Sequence, residues 1–451
     1  MKIRSFHIGG IHPEEYKLTA EIPTVASQLP DVAVFPLSQH IGAPARAVVK
    51  KGDMVKVGTL IAEAGGYVSA PIHSSVSGKV LKIDAAVDAT GYSRPAIFIQ
   101  REGDDWEETI DRSDTLERVE AHPELTAEEI VRRIQVAGVT GMGGAGFPTH
   151  VKLCPPPGTH AECVIINAVE CEPYITSDYR LMMEHADEIL QGIRLLMMAV
   201  SVPKAYIGIE TNKPKAIVLL AEKLQDDTAI EVVPLACRYP QGGEKQLVDA
   251  VIQRQVPAPP AIPVNVGAVV QNVGTAFAVY QAVMKGKPLF ERYVTVTGKK
   301  VSQPGNFLVR MGTPFRQLLD ACGGVPDGDH KLLAGGPMMG KAVPTADVTV
   351  CKGTNSITLL SGRDAFRRAE QPCVRCAKCV SVCPMGLEPY LLATLSSQPT
   401  PDVARLEEEC VVSCISCGSC QYTCPARRPL LDCILLGKGA VMAEIKRRNT
   451  K

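Results

Sequence analysis

The sequence predicts a multidomain chain of mixed α/β and α+β type, because 451 residues correspond to roughly three or four domains. Three observations support this fold class. Short alternating strands fill residues 31 to about 100, helical and strand-like segments alternate over about 118–288, and the last hundred residues carry a duplicated cysteine run. The 48 basic and 48 acidic residues cancel. This balance argues against nucleic acid or an anionic membrane surface as the main partner.

Residues 1–110 are predicted to hold an N-terminal segment and a small β-domain. Residues 45–83 consist of two similar halves, each with apolar strands around a glycine turn. They resemble the lipoyl/biotinyl-carrier β barrel-sandwich. In that family a modified lysine occupies the hairpin between the halves, where this chain has Ala64, Gly65 and Gly66. We therefore expect no covalent lipoate or biotin, and we favour a docking or packing role for this domain.

A glycine-rich loop follows the first predicted helix of the next domain. Thr126 and Glu129 form a capping-box pattern that predicts the start of this helix. Residues 141–149, GMGGAGFPT, then match G-x-G-x-x-G, but a helix and not a strand is predicted before them. The loop is therefore not a Rossmann fingerprint. Glycines there would let backbone N–H groups approach a phosphate or a flat ring, although a purely structural turn is the alternative.

Four segments in the same order carry a specific resemblance. GMGGAGFPTHVKL resembles GRGGAGFPTGLKW of the flavin-binding subunit of respiratory complex I and of related hydrogenase and formate dehydrogenase diaphorase subunits. NAVECEPYITSDYR, QGGEKQL and QNVGTA are similar to their NADEGEPGTFKDR, GEETAL and NNVETL. The resemblance implies a complex-I-flavoprotein-like α/β domain over 118–288 that binds FMN non-covalently and reacts with NAD(H).

The resemblance also implies individual roles. Glu172 and Glu170 are the catalytic candidates, although Glu172 could be an exposed loop carboxylate and Asn272 a simple helix N-cap. Two positions depart from the family, which has Arg where this chain has Met142 and Asp where it has Val169. The implied cofactor-binding residues are Gly141, Gly143, Gly144, Gly146, Phe147, Lys152, Asn167, Glu170, Glu172, Gly243, Glu244, Asn272 and Thr275.

Residues 290–362 resemble the soluble-ligand-binding β-grasp module that follows the flavin domain in those subunits. VTVTG and NFLVRMG predict short strands, and the segment from Thr313 to Leu319 predicts a helix with Pro314 in its first turn. The loop 335–340 could line a surface near the flavin or form only a structural turn.

Residues 363–440 contain Cys-x2-Cys-x2-Cys-x3-Cys-Pro twice, which is the ligand spacing of two [4Fe-4S] clusters in a ferredoxin-like domain. The fourth cysteine of each run is expected to serve the other cluster. Zinc sites or a disulfide framework are the alternatives. Helical spacing between the runs predicts a mainly helical domain, and the other eight cysteines are expected to be reduced and mostly buried. The two expected ligand sets are Cys373, Cys376, Cys379 with Cys424, and Cys414, Cys417, Cys420 with Cys383.

The order of these modules resembles that of the C subunit of the Rnf/Rsx ion-translocating electron-transport complex. That resemblance implies a peripheral NAD(H)-reacting subunit on the cytoplasmic side of the cell membrane, without a transmembrane segment, in a ferredoxin:NAD+ oxidoreductase. Its partners would be the other subunits, including an iron-sulfur subunit that takes electrons from ferredoxin. A flavin and iron-sulfur cobalamin reductase of a microcompartment and a non-catalytic iron-sulfur scaffold are the alternatives.

Overall fold

The computed structural model describes residues 2–449, and in that range the strands form four sheets. The N-terminal segment does not enter the small β-domain. Arg4 forms a β-bridge with Leu235, and Ile11 forms one with Tyr239. The segment therefore lies along the α/β domain of residues 118–288, which we call the flavin-type domain. The first strand then pairs in parallel with a strand of the β-grasp sheet. No helix between residues 2 and 449 has both the length and the apolar character needed to cross a membrane. The first strand is β1 (Thr24–Ala26).

The β barrel-sandwich consists of a four-stranded and a three-stranded sheet. Its strands alternate between core and solvent, as shown by the fully buried Ala33 and Phe35 on one strand and Ile97 and Ile99 on its partner. The barrel-sandwich prediction is confirmed. The sheet orders are β2-β8-β7-β4 and β3-β5-β6, built from β2 (Val32–Pro36), β3 (Arg46–Ala47), β4 (Met54–Val55), β5 (Leu60–Glu63), β6 (Ile72–His73), β7 (Gly78–Val87) and β8 (Ser93–Arg101).

The next domain is a parallel sheet of order β11-β10-β9-β12 with helices on both faces. Successive residues of its central strand enter different cores: Val164 and Ile166 pack on one face, Cys163 and Ile165 on the other. A continuous apolar run is expected for a strand covered on both faces. The elements are α1 (Ala127–Val136), α2 (Thr149–Lys152), β9 (Cys163–Asn167), α3 (Ser177–Glu184), α4 (Ala186–Ala199), β10 (Ala205–Glu210), α5 (Pro214–Lys223), β11 (Ile230–Leu235), α6 (Glu244–Ile252), β12 (Ala268–Asn272) and α7 (Val273–Met284).

Helix α1 begins where the capping pattern predicts, but only half of the pattern forms. The Thr126 hydroxyl accepts a hydrogen bond from the Glu129 N–H at 3.2 Å. The Glu129 carboxylate pairs with Arg132 and Arg133 instead of reaching back to the cap. The N-cap is therefore confirmed, and the reciprocal bond of a capping box is replaced by ion pairs along the helix.

The β-grasp domain has a six-stranded sheet of order β1-β14-β13-β17-β15-β16. Its one helix of more than one turn in the described range begins at Phe315, directly after Pro314, and buries Phe315, Leu318 and Leu319 against the sheet. The predicted strands and helix are confirmed. The elements are β13 (Glu291–Thr297), β14 (Gly305–Arg310), α8 (Phe315–Ala321), β15 (His330–Ala334), β16 (Lys341–Ala342) and β17 (Ser356–Ser361).

The C-terminal region is mainly helical, as the spacing between the cysteine runs predicts. Its small core includes Leu392, Leu406, Val411 and Ile434, together with several of the cysteines. Asp402 caps its third helix by accepting a hydrogen bond from the Arg405 N–H at 3.0 Å. The helices are α9 (Lys378–Ser381), α10 (Pro389–Ser396), α11 (Val403–Glu408), α12 (Ser419–Tyr422) and α13 (Leu430–Asn449).

Two buried polar side chains join the domains. The Lys352 amine donates to the carbonyls of Pro71 and Gly138, each at 2.6 Å, and so links the β-grasp, barrel and flavin-type domains. The Asn306 side chain accepts from the Thr176 hydroxyl at 2.8 Å and donates to the Thr19 carbonyl at 2.8 Å. Because an unpaired buried polar group is costly, these contacts favour one arrangement of the domains.

Lys352 should make stability depend on pH. Burial lowers the pKa of Lys352 to about 7, whereas an unfolded lysine keeps its proton up to about pH 10.4. Between these values the unfolded state binds the extra proton, so the stability of the folded state rises as pH increases from 7 towards 10. We expect the free energy of unfolding of the parent, relative to Lys352→Met, to rise between pH 7 and about pH 9, with a slope of at most about 1.4 kcal/mol per pH unit.

Urea denaturation of both proteins at three pH values measures this difference. Loss of the two hydrogen bonds shifts the variant by a constant amount, so only the slope reports the proton. A difference between the two proteins that is independent of pH would contradict the prediction.

Candidate functional site

The carboxyl edge of the parallel sheet gathers most of the predicted site residues. Asn167 ends β9, Asn272 ends β12, and Tyr239 and Gly243 lie in the loop that follows β11. In open α/β sheets, ligands bind beyond the carboxyl ends of the strands. The four segments that carry the family resemblance therefore meet at one place in the fold.

The glycine loop lies over this edge and is held by two backbone contacts. The Gly141 N–H donates to the Phe147 carbonyl at 2.8 Å and closes the loop. The Met142 N–H donates to the Thr275 hydroxyl at 3.0 Å, which fixes the loop to the start of α7. As expected, α1 and no strand precedes the loop.

The exposed part of the loop is Gly143, Gly144 and Ala145. A Cβ added at Gly143 would lie 2.7 Å from the Asn272 amide nitrogen, so this position requires glycine. A Cβ added at Gly144 would meet no protein atom within 4 Å. The loop thus presents a backbone surface over open space, which is the cradle that a phosphate or a flat ring requires.

Asn272 is the N-cap of α7, and this interpretation is confirmed. Its side-chain oxygen accepts from the Gly274 N–H at 2.8 Å. Its amide group also donates to the buried Asp178 carboxylate at 2.7 Å. The Asn272 side chain therefore caps α7 and also links the start of α7 to the start of α3. Burial raises the pKa of Asp178 above its usual range.

Glu170 lies in the loop of residues 168–176 between β9 and α3, which we call the acidic loop, and its side chain is bound within the protein. Its carboxylate accepts from the Asp178 N–H at 2.7 Å and the Tyr179 N–H at 3.3 Å, at the beginning of α3. Its backbone is left-handed, with φ of 49°, which is uncommon for a non-glycine residue and marks a locally constrained loop. Burial raises the pKa of Glu170 to about 7.

Glu172 is not an exposed loop carboxylate, so that interpretation is wrong. Its carboxylate accepts from the Met339 N–H at 2.6 Å and the Met338 N–H at 3.2 Å. A Cβ at Gly336 would come within 2.5 Å of it. Burial raises the pKa of Glu172 to about 7. The 335–340 loop of the β-grasp domain is thus bound directly to the acidic loop.

Two lysine side chains that no sequence motif identified donate hydrogen bonds to backbone carbonyls of the acidic loop. The Lys17 amine donates to the carbonyls of Glu170, Glu172 and Ile175 at 2.8, 2.9 and 2.7 Å. The Lys213 amine donates to the Val169 carbonyl at 2.7 Å. No motif could identify them, because Lys17 lies more than 150 residues from the loop that it holds.

The remaining predicted residues contact one another around the start of α6, and we call this group the rim of the site. The Asn167 amide donates to the Gly242 carbonyl at 2.8 Å. Lys152 forms an ion pair with Glu244, the first residue of α6. Gly243 is the N-cap of α6 and offers no side chain to the N–H groups of its first turn. These groups can receive an anion.

The two departures from the family pattern fill cores. The Met142 side chain is 6 % exposed and lies in the core on one face of the sheet. Val169 is fully buried in the core on the other face. Met142 also borders a cavity of about 380 Å³ that Asp178 and Gly274 line.

Four cysteines from both runs border one cavity in the C-terminal domain. Cys383, Cys417 and Cys420 are 8, 8 and 9 % exposed, and Cys414 is half-buried. Burial raises the pKa of Cys420 to about 12, and the thiols of the other three add to the effect. The four thiols line the cavity and do not meet at one point. Within residues 2–449, no set of three or more His, Cys, Asp or Glu side chains is placed so that it could hold a single metal ion.

The backbone of the two runs repeats residue by residue. Arg375 and Ala377 in the first run, and Ser416 and Gly418 in the second, are all left-handed, with φ between 52° and 76°. A short helix lies within each run, α9 before Cys383 and α12 before Cys424. Non-glycine residues in this conformation are strained and mark functional loops, and such turns direct successive N–H groups inward towards an anionic centre.

The other four cysteines lie nearer the surface. Cys373 and Cys376 are exposed, whereas Cys379 and Cys424 are half-buried. Burial raises the pKa of Cys379, and the nearby Cys424 thiol raises it further. The Gln371 N–H donates to the Ala426 carbonyl at 2.9 Å and holds the two loops side by side. Cys383 thus lies with the cysteines of the second run and Cys424 lies near Cys379, while the two crossed ligand sets stay a prediction.

We call Cys383, Cys414, Cys417 and Cys420 the buried cysteine set. This set contacts the flavin-type domain directly. The Tyr239 hydroxyl donates to the Cys417 carbonyl at 2.8 Å. The Gln246 amide donates to the Pro384 carbonyl at 3.2 Å. Tyr239 lies in the same loop as Gly243, so the cysteine set and the glycine-rich rim are separated by only a few residues of chain.

The eight cysteines outside the runs are less uniformly buried than expected. All sixteen cysteines are free thiols. Only Cys163 and Cys322 of the eight are buried, four others are half-buried, and Cys154 and Cys410 are exposed. The expectation that most of them are buried is therefore wrong. Their isolated positions in the sequence carried no information about packing.

Three protein families match successive parts of the chain. Residues 5–104 match the RnfC barrel sandwich hybrid domain, residues 134–281 the Nuo51 FMN-binding domain, and residues 293–342 the SLBB domain. The crystal structure of an NAD+-reducing [NiFe]-hydrogenase in the air-oxidized state is similar in fold, with a TM-score of 0.50 and 20 % identity over 73 % of this chain and 69 % of that chain. The fold and site therefore define a multidomain flavoprotein of the complex I type.

Relatives of known name narrow the class. The C subunit of the proton-translocating ferredoxin:NAD(+) oxidoreductase complex of Clostridium ljungdahlii is 42 % identical over 90 % of this chain and 87 % of its own length. The C subunit of the Na(+)-translocating complex of Acetobacterium woodii is 40 % identical over 98 % of both chains. The C subunit of the ion-translocating oxidoreductase complex of Rhodobacter capsulatus is 41 % identical over 86 % of this chain and 75 % of its own. The chain belongs to this family, the C subunits of the Rnf complexes.

The cysteine grouping predicts an asymmetric effect of Cys383→Ala. Cys383 borders the cavity of Cys414, Cys417 and Cys420 although it belongs to the other run. Reconstituted Cys383→Ala protein should therefore lose about half of its iron and acid-labile sulfide, as measured chemically.

Electron paramagnetic resonance of dithionite-reduced protein identifies which centre is lost. Cys410→Ala, an exposed thiol outside both sets, is the control and should keep the full iron content. Loss of the centre held by Cys373, Cys376 and Cys379, with the other retained, would contradict the crossed arrangement.

Proposed function

We propose that this chain is the NAD(H)-reacting subunit of an ion-translocating ferredoxin:NAD+ oxidoreductase complex, in which electrons pass between iron-sulfur centres and NAD+ through FMN. One observation carries the proposal. The buried cysteine set is attached by the Tyr239–Cys417 hydrogen bond to the loop that also forms part of the flavin-type site. Such contact is what transfer of single electrons between two centres requires.

The residues at the carboxyl edge of the sheet fit FMN. Gly143 and Gly144 provide an open backbone surface, and Lys152 provides a positive charge at its rim. The uncapped N–H groups of α6 can bind a phosphate, as can the start of α7 beside Asn272. Asn167, Glu170 and Glu172 add polar groups at the same edge of the sheet. When bound, FMN exchanges two electrons as hydride with a nicotinamide and single electrons with a [4Fe-4S] cluster.

The cysteines fit two clusters of the ferredoxin type. The buried set lies in an apolar cavity with Leu387, Leu392 and Ile434. Free thiols there would stay protonated at neutral pH, because burial raises the pKa of Cys420 to about 12. Iron deprotonates a coordinating thiol, so the set is suited to a metal centre. Cys373, Cys376, Cys379 and Cys424 would hold the second centre nearer the surface.

The other subunits of such a complex would be the partners, including an iron-sulfur subunit that takes electrons from ferredoxin. The names of the relatives, which describe subunits of proton-, Na(+)- and ion-translocating complexes, support this part of the proposal. We place the chain peripherally, on the cytoplasmic side of the cell membrane, where NAD(H) is available.

Two alternatives are less well supported. A cobalamin reductase shares the flavin, β-grasp and cluster segments, but residues 5–104 match the RnfC barrel family. A non-catalytic scaffold would follow if the flavin pocket had degenerated at Met142 and Val169. Both side chains pack into cores away from the open surface of Gly144, so they give no reason to expect a lost pocket.

Gly144→Val tests the flavin site without disturbing the protein. The added side chain meets no protein atom at its Cβ, so the chain should fold, while FMN would meet a branched group on its cradle. We expect FMN content to fall at least about tenfold, measured by absorbance after gel filtration. Gly353→Val is the matched control, since a Cβ there also meets nothing. Full flavin in Gly144→Val would contradict the assignment.

Glu172→Gln tests chemistry separately from the clusters. The carboxylate anchors the 335–340 loop beside the site and adds its charge there, so we expect NADH-dependent dye reduction to slow about tenfold. Reduction of the clusters by dithionite should be unchanged. Glu162→Gln, an exposed glutamate paired with Arg254, is the control and should keep the parent rate. Unchanged NADH activity in Glu172→Gln would show that Glu172 is only structural.

A further inference from the structure

A strongly basic surface surrounds the exposed cysteines. Residues 363–378 and 424–432 contain seven basic and three acidic residues in a chain whose total charge is zero. We call the basic side chains of these two segments the basic face. The face consists of Arg363, Arg367, Arg368, Arg375, Lys378, Arg427 and the half-buried Arg428.

The two segments form one continuous surface. The Gln371 N–H donates to the Ala426 carbonyl at 2.9 Å, and Arg428 reaches Glu370 at 3.5 Å. Arg367 pairs with Asp432. The face is therefore held together by contacts between its two halves, so its positive charges stay close to one another.

Most of the positive charge is not neutralised within the protein. Within residues 2–449, no ion pair is formed by Arg363, Arg368, Arg375, Lys378 or Arg427. All five are exposed. Arg375 is also held in the left-handed conformation, with φ of 52°, between Cys373 and Cys376. An opposite charge from another molecule would complete this surface.

The first segment of the basic face also exposes apolar side chains and the two thiols. Val374 is 66 % exposed and Phe366 is 56 % exposed. Every residue from 366 to 378 is exposed, including Cys373 and Cys376. Exposed apolar side chains beside charged ones are typical of a protein–protein interface. The other cysteine set, by contrast, is covered by the flavin-type domain through Tyr239.

We propose that the basic face is the docking surface for an acidic iron-sulfur electron-transfer protein, which places its own redox centre opposite Cys373 and Cys376. The inference rests on the proposed function, since it assumes that these cysteines hold a cluster. Charge complementarity would steer and orient the partner, and the exposed apolar side chains would be covered on contact. An anionic lipid surface fits less well, because it offers no electron carrier opposite the exposed thiols.

The test uses the full chain loaded with FMN and iron, and a bacterial two-cluster ferredoxin of net negative charge as the probe. The variant carries Arg368→Glu, Arg375→Glu and Arg427→Glu. The matched control carries Lys51→Glu, Lys56→Glu and Lys300→Glu, three exposed lysines on the barrel and β-grasp domains with the same change in total charge. Binding is measured by surface plasmon resonance at low and physiological ionic strength.

We expect the Kd to rise at least about tenfold in the face variant and to change less than about twofold in the control, with parent binding weakened by salt. Three results would overturn the proposal: no binding of ferredoxin to the parent at low salt, equal binding by the face variant and the parent, or an equal loss in the control. Binding to phosphatidylglycerol vesicles is measured in the same way. If the face variant lost binding to these vesicles but bound ferredoxin as the parent does, the face would be assigned to a lipid surface instead.

The iron content, the FMN content and the rate of NADH-dependent dye reduction are measured in the parent, the face variant and the control. Unchanged iron and flavin in the face variant show that its clusters are intact. A parent without flavin or NADH activity would contradict the proposed function, whereas a parent with both but no charge-dependent binding would contradict only the docking surface.

Discussion

The hydrogen bond from the Tyr239 hydroxyl to the Cys417 carbonyl joins the cysteine-rich domain to the carboxyl edge of the parallel sheet. The N-terminal segment strengthens this junction, since the Gly10 N–H donates to the Val382 carbonyl at 2.9 Å. A Cβ at Gly9 would lie within 2.5 Å of the Cys383 backbone. Two separate segments, the loop of Tyr239 and the N-terminal segment, thus hold the buried cysteine set in one position. The proposed function needs this fixed position, because a mobile domain could not keep two redox centres close together.

Charge inside the flavin-type site is balanced by groups from distant parts of the chain. Burial raises the pKa values of Glu170, Glu172 and Glu210 to about 7. Lys17 and Lys213 lie beneath them, and backbone N–H groups hold the first two carboxylates. Burial therefore disfavours the charged form of each carboxyl group, while the lysines and the backbone N–H groups favour it. A cofactor entering this site would meet dipoles that are already oriented.

Local patterns in the sequence predicted local structure well. The glycine loop after a helix, the Thr126 and Asn272 caps and the helix after Pro314 all depend on spacing within short segments. Contacts between distant segments could not be predicted. Nothing in the sequence indicated that β1 would join the β-grasp sheet, that Glu172 would bind the 335–340 loop, or that Lys352 would link three domains. Such contacts depend on how finished domains pack, which no periodic pattern encodes.

The central claim is that one chain can carry electrons from a nicotinamide to iron-sulfur centres without help from the rest of the complex. Anaerobic addition of NADH to the purified chain, reconstituted with FMN, iron and sulfide, tests it most directly. Electron paramagnetic resonance of samples frozen after mixing reports reduced clusters. We predict cluster signals that appear with NADH alone and are absent when FMN is omitted. Flavin reduction without any cluster signal, in protein whose clusters dithionite reduces fully, would contradict the account.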